Sequence, residues 1–201
     1  MKNIFEQGSF HSFQSSYSIS QIRLDEARSS IPDSSLFGVI KTTVFISHKH
    51  SDLEDLKGIL GFLEQQYNVK VYIDSQDPSM PKITSAETAK NIKHRIKQCN
   101  KFILLASNAA VESKWCNWEL GYGDADKYDK HIALFPFKPK GTSDSDYKGS
   151  EYMRIYPSIC YCESGSYING KWTPAGYYVR YQENETDQFI SLKEWLANRR
   201  G

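Results

Sequence analysis

The residues best placed to do chemistry lie at 113–123, SKWCNWELGYG. A single carboxylate, Glu119, sits there among Trp115, Trp118 and Tyr122, with Cys116 beside the first tryptophan. On a helix, Trp115 and Glu119 are four residues apart and share a face, while Trp118 and Tyr122 pair on a neighbouring face. One pair can then enter the core while the other lines a cleft. A lone carboxylate against an aromatic wall suits the stabilisation of a cation. A solvated helix acid between core aromatics is the plainer use of the same residues, and spacing alone favours it. Cys116 is open to two readings as well, a reactive thiol or a small packed hydrophobe.

Elements on either side must position this stretch. TTVFIS (42–47), VKVYID (69–74), KFILLAS (101–107) and HIALFPF (131–137) are short continuous apolar runs. Such runs suit strands buried on both faces of a parallel sheet. Helical stripes lie between them. Leu53, Leu56, Leu60, Leu63 and Tyr67 make one, and Ala86, Ala89, Ile92, Ile96 and Cys99 a second. Trp115, Trp118 and Tyr122 suggest a third over 113–126, with Ser113 as N-cap. Strands alternating with helices imply right-handed βαβ units, an α/β domain with an open parallel sheet of about five strands and helices on both faces. The fifth strand is expected within MRIYPSICYC (153–162), where Pro157 favours an edge or a bulge.

The flanks read differently. Residues 1–41 are serine-rich with a weak helical pattern from Ile19 to Ala27, and read as an arm or a strap over the domain. The core is expected at 42–162. Residues 163–201 read as an elaboration packed on the same domain. There SYINGKWT (166–173) carries the Asn-Gly of a hairpin, YYVRYQ (177–182) a further strand, and Phe189, Leu192, Trp195 and Leu196 a terminal amphipathic helix.

Composition excludes several classes of function. A net charge of +1 over 201 residues gives no electrostatic case for a nucleic-acid partner. No apolar run of about 18 residues marks a membrane span, and the N-terminus lacks the apolar core of a signal peptide. The four cysteines, Cys99, Cys116, Cys160 and Cys162, form no disulfide framework, which fits a reducing cytoplasm. His48, His50, Asp52 and the Cys160-x-Cys162 pair do not have the spacing of a zinc site. A Ser47/His48/Asp74 hydrolase lacks a nucleophile elbow. No glycine-rich phosphate loop is present, so a nucleotide here is a substrate and not a bound redox cofactor.

In an open parallel sheet, ligands bind beyond the carboxyl ends of the strands. That rule selects SHKHSD (47–52), SQDPSMPKITS (75–85), SNAAVESKW (107–115) and KPKGTSDSDYKGS (138–150). The first and third hold most of the candidate polar groups.

VFISHKHSD (44–52), VKVYID (69–74), the proline-containing loop after it and above all WCNWEL (115–120) together resemble a Toll/interleukin-1 receptor (TIR) domain, over roughly 42–160. The W-x-x-x-E arrangement is similar to the pocket of TIR domains that cleave NAD⁺, including bacterial Thoeris-type anti-phage enzymes. The resemblance implies a flavodoxin-like fold and NAD⁺ glycohydrolase or ADP-ribosyl cyclase activity. By position it makes Glu119 catalytic. It places Trp115, Ser47, His48, Lys49, Asp52 and Cys116 at the substrate. It also implies self-association through TIR–TIR contacts, with the 75–85 loop as the contact, and a downstream effector that senses a cyclic nucleotide. NAD⁺ is then the substrate, with no cofactor and no metal. Many TIR domains are non-catalytic scaffolds, which is the alternative. Nucleoside deoxyribosyltransferases, which share the architecture and a ribosyl-centre glutamate, are a third reading.

The chemistry accounts for a lone carboxylate. Ordinary glycosidases need two acids, because the leaving oxygen must be protonated. The nicotinamide of NAD⁺ is already cationic and leaves as a neutral base. What remains is an oxocarbenium-like ribose, which one desolvated carboxylate can stabilise. An aromatic wall that excludes water favours ring closure over hydrolysis. Tyr167, Trp172, Tyr177 and Tyr178 of the tail are candidates for such walls, although hairpin aromatics more often pack on their own domain.

Overall fold

The computed structural model of the chain describes residues 1–14, 41–73, 86–127 and 130–198. The helical pattern at Ile19–Ala27, Asp74 and the 75–85 loop lie outside the described residues.

The first strand, β1 (Phe5–Glu6), is followed by β2 (Thr43–Ser47), α1 (Leu53–Tyr67), β3 (Lys70–Ile73), α2 (Ala86–Gln98) and β4 (Lys101–Ser107). Then come α3 (Asn108–Val111), α4 (Lys114–Lys127), β5 (Ile132–Lys138), α5 (Tyr152–Ile155) and β6 (Ser158–Cys162). The chain closes with a hairpin, β7 (Ser166–Ile168) and β8 (Lys171–Thr173), then β9 (Gly176–Glu183), β10 (Thr186–Ser191) and α6 (Leu192–Ala197). The main sheet runs β10-β9-β6-β5-β4-β2-β3, with β1 paired to β5. From β3 to β6 every pairing is parallel, while β9 and β10 are antiparallel additions. This is a flavodoxin-like α/β sheet, in which the strand order reverses between β2 and β4.

The apolar runs became strands for the expected reason. All seven residues of β4 and all seven of β5 are buried, because helices cover both faces. One face packs Val44, Ile46, Ile103 and Leu105 against α1 and the chain ends. The other packs Phe45, Phe102 and Leu104 against Ile92 and Ile96 of α2 and Cys116 and Leu120 of α4. At the end of α1, Asn68 turns left-handed (φ 52°) and returns its N–H to the Glu64 carbonyl at 3.0 Å. Asn169 and Gly170, both at positive φ, close the short hairpin as the Asn-Gly pair requires.

Three local expectations are corrected. β6 is not an edge strand: it lies between β5 and β9, and Pro157 precedes it with a carbonyl that accepts from Leu134 N at 2.8 Å. A proline outside the ladder loses no strand hydrogen bond. Phe189 is not helical: it pairs with Arg180 inside the β9–β10 ladder, and the terminal helix begins at Leu192, capped by Ser191. On α4 the tryptophans are not the core stripe. The buried positions are Cys116, Glu119, Leu120, Gly123 and Lys127.

Residues 1–14 are built into the fold. β5 and β6 share one register pair, Leu134↔Ser158, and then diverge. The N-terminus fills the opening: Phe5 pairs with Phe137, and Lys2 exchanges two backbone hydrogen bonds of 2.8 Å with Tyr161. The chain then crosses α1. Gly8 N donates to the buried Asp55 carboxylate at 2.6 Å, and the Phe10 ring lies edge-on to Phe62 and Phe135. Burying Phe5 and Phe10 contributes roughly 1.5–3 kcal/mol each. Among the described residues no helix is long and apolar enough to cross a membrane.

Candidate functional site

The carboxyl ends of β2 and β4 meet where the strand order reverses, which is where a sheet of this type forms a ligand crevice. Side chains alternate along a strand, so Ser47 points the same way as Phe45, toward α4. There its hydroxyl donates to Glu119 Oε2 at 2.5 Å, a link between residues 72 apart in sequence. Both side chains are fully buried. Glu119 is therefore no solvated helix acid, since it occupies the stripe of α4 that faces the sheet.

Ser107 ends β4 with the opposite parity, on the side of Ile103 and Leu105. Its hydroxyl donates to Asp52 Oδ2 at 2.5 Å and accepts from Ala110 N at 3.0 Å, capping α3. Ser51 donates to the other Asp52 oxygen at 3.2 Å. Burial pushes the Asp52 carboxyl above the ordinary carboxylate range, against the lowering pull of the Ser107 and Ser51 hydroxyls. His48, itself buried, also favours the ionised form. Two buried carboxylates are thus held by serine hydroxyls at adjacent strand ends, one on each face of the sheet.

The height of Glu119 is set by both ends of its helix. Ser113 is the N-cap, accepting from Cys116 N at 3.4 Å. At the other end the buried Lys127 ammonium donates to Cys99 O at 2.5 Å and pairs with Asp126 at 3.1 Å. A cation at a helix C-terminus complements the helix dipole.

The sequence grouped Ser47, His48, Lys49, Asp52, Trp115, Cys116 and Glu119. Ser47 and Glu119 meet directly, His48 follows Ser47 at the carboxyl end of β2, and Asp52 bonds Ser107 at the carboxyl end of β4. Lys49 is exposed in the loop after β2. Cys116 is in the apolar cluster beneath α4, 1% exposed. Trp115 does not pair off from Trp118 as the spacing suggested. Trp115, Trp118 and Tyr122 form one half-buried ladder, with ring centroids 4.8 Å and 6.2 Å apart. Lys93 of α2 lies 5.6 Å over Trp118 and 5.3 Å over Tyr122. Sequence reasoning missed Ser107. Its signal was available, because KFILLAS ends in serine at the same strand end as TTVFIS. Among the described residues no three His, Cys, Asp or Glu side chains gather as a metal site.

Comparison with known proteins bears on this geometry. Residues 44–156 match the TIR domain family. The chain is also similar to the probable 3′ cyclic ADP-D-ribose synthase ThsB′ of Bacillus cereus (strain MSX-D12). The two are 27% identical over 202 residues, covering 97% of this chain and 96% of that protein.

Proposed function

The chain belongs to the TIR-domain family, and from that premise we propose that it cleaves the nicotinamide–ribose bond of NAD⁺, giving nicotinamide with ADP-ribose or a cyclic ADP-ribose isomer. The observation that carries this reading is Glu119, a buried carboxylate held by the Ser47 hydroxyl at the strand-order reversal. The C1′–N bond breaks with its electron pair going to the pyridinium nitrogen, so no acid is needed. The ribosyl cation is then captured at C1′ by water, or by a nucleophile of the same molecule to close a ring. Glu119 stabilises that cation, and its fixed orientation and dry surroundings strengthen the interaction. Ser47 holds the carboxylate in place. Trp115 stacks on a base, and His48, Lys49 and Asp52 border the nucleotide. Cys116 serves the site by packing α4 and not by touching substrate.

Glu119 has no exposed surface in this conformation. Catalysis therefore requires the edge above Ser47 to open. Contact between copies of the chain is the proposed trigger, and an effector that senses the cyclic product, in bacterial anti-phage defence, is the proposed reader. The similarity along nearly the whole chain to a protein named as a probable 3′ cyclic ADP-D-ribose synthase supports this reading.

The test is NAD⁺ incubated with concentrated wild type and Glu119→Gln, with products resolved by chromatography and mass. Glutamine keeps the shape and an acceptor for Ser47 but removes the charge. Loss of nicotinamide release by about 10²-fold or more is expected. A variant as active as wild type removes Glu119 from the mechanism. No release by either protein, even at high concentration and with phage-infected lysate added, leaves a non-catalytic interaction module.

A further inference from the structure

We infer that the chain has a second small-molecule site, at the opposite edge of the sheet from Glu119, that takes an aromatic phosphate of mononucleotide size. A cavity of about 460 Å³ opens there, at the amino ends of β5 and β6. It lies between the loop before β5, α5, the far half of β9 and α6. Its size is that of a small-ligand pocket, for which roughly 300–1,000 Å³ is usual.

Its charge is built from three separate segments. Lys130, Arg154 and Arg180 line the cavity against one acid, Glu183. On a chain with a net charge of only +1, that concentration of cations selects an anion. Arg180 is already oriented, since its Nε pairs with Asp187 at 3.2 Å, and a guanidinium so held keeps further donors for a phosphate.

The rings supply the second half of the ligand. Tyr181 and Trp195 line the same cavity, with Asn198 beside them as a hydrogen-bonding group. Trp195 is fixed from behind. The fully buried Lys101 ammonium sits 4.5 Å from its ring centroid and contacts His131 Nδ1 at 2.9 Å and Lys130 O at 3.3 Å. Trp195 is only 4% exposed, so it forms a rigid apolar wall of the cavity, and the ring free to lie against a planar ligand is that of Tyr181. The rim also leaves large apolar surface uncovered, with Ile155 64% and Tyr181 36% exposed. A flat ring lying over them removes that surface from water.

Binding of adenosine 5′-monophosphate, adenosine and inorganic phosphate to the full chain, measured by isothermal titration calorimetry, tests this. The monophosphate should bind with a dissociation constant of about 1 mM or tighter, and about tenfold or more tighter than either fragment, because it alone engages both the cations and the rings. Lys130 and Arg154 are exposed, so the double variant Lys130→Glu/Arg154→Glu should fold and lose about tenfold or more in affinity. Trp115→Ala, at the other end of the strands, should leave intact the component of monophosphate binding that the double variant removes. Absence of binding overturns the inference. So does binding abolished by Trp115→Ala and kept by the double reversal, which would place the nucleotide at Glu119. Neither result depends on whether NAD⁺ is cleaved.

Discussion

Replacing Gly61 by alanine tests whether residues 10–14 lie on α1 as the fold requires. In an exposed helix interior, Gly→Ala stabilises by about 1 kcal/mol. Gly121 of α4 is such a position, since a Cβ there meets nothing within 4 Å. At Gly61 the new Cβ falls on the Phe13 carbonyl, well inside van der Waals contact. That obstacle is backbone, so the strap must lift. Lifting it forfeits the 3.2 Å hydrogen bond from Gln65 Nε2 to Phe13 O, about 1 kcal/mol. It also forfeits the edge contact of Phe13 with Phe62 at 5.3 Å, about 1 kcal/mol. Partial exposure of the Phe13 ring adds about 1 kcal/mol. Against the helix gain the net is a loss of about 2 kcal/mol, or roughly 4–8 °C in Tm for a chain of this size. Calorimetric melts of Gly61→Ala and Gly121→Ala should move in opposite directions from wild type. If Gly61→Ala melts as high as Gly121→Ala, the strap does not cross α1 where the structure places it.

Ser47→Ala removes a buried hydrogen bond to a carboxylate worth roughly 1.5–3 kcal/mol, so kcat for NAD⁺ cleavage should fall about 10–100-fold with KM little changed. A folded Ser47→Ala enzyme with wild-type kcat would show that Glu119 needs no such support. If copies of the chain open the edge above Glu119, nicotinamide released per molecule should climb with protein concentration, and strict proportionality refutes that trigger. Lys101, fully buried, has its ammonium pulled down by desolvation to about 8 from 10.5. Between those values the unfolded chain holds a proton that the folded chain has released, so stability rises with pH across that window. Below pH 8 the cost of the buried charge is paid in full. Lys101→Met should therefore be more stable than wild type at pH 7, and the gap should shrink by up to about 3 kcal/mol toward pH 10.5. The comparison must be a difference between the two proteins. The Cys99 and Cys160 thiols, pushed up by burial to about 12, lower the stability of both above pH 9. A pH-independent gap refutes the assignment.

The sequence by itself determined the parallel part of the sheet. Runs such as KFILLAS and HIALFPF carry no polar face, so they had to be buried on both sides, and the leucine stripe of α1 had to cover one of them. It also pointed to Glu119 as the group to watch, with Trp115, Ser47, His48, Lys49, Asp52 and Cys116 as candidates around it, because WCNWEL and VFISHKHSD resemble the family pattern. Three things waited for the tertiary structure. Whether Glu119 faced water or the sheet depended on the rotation of α4. That rotation is set by its contacts with β2, β4 and α2, and spacing along one helix cannot encode it; the tryptophans, the largest residues of the stretch, took the flank instead. The pairing of Asp52 with Ser107 joins residues 55 apart through strand parity and the start of α1. The N-terminal strand was illegible for a simpler reason. Lys2 to Glu6 has no periodicity of its own, and it is a strand because β5 and β6 diverge and leave unpaired backbone that only another strand can satisfy.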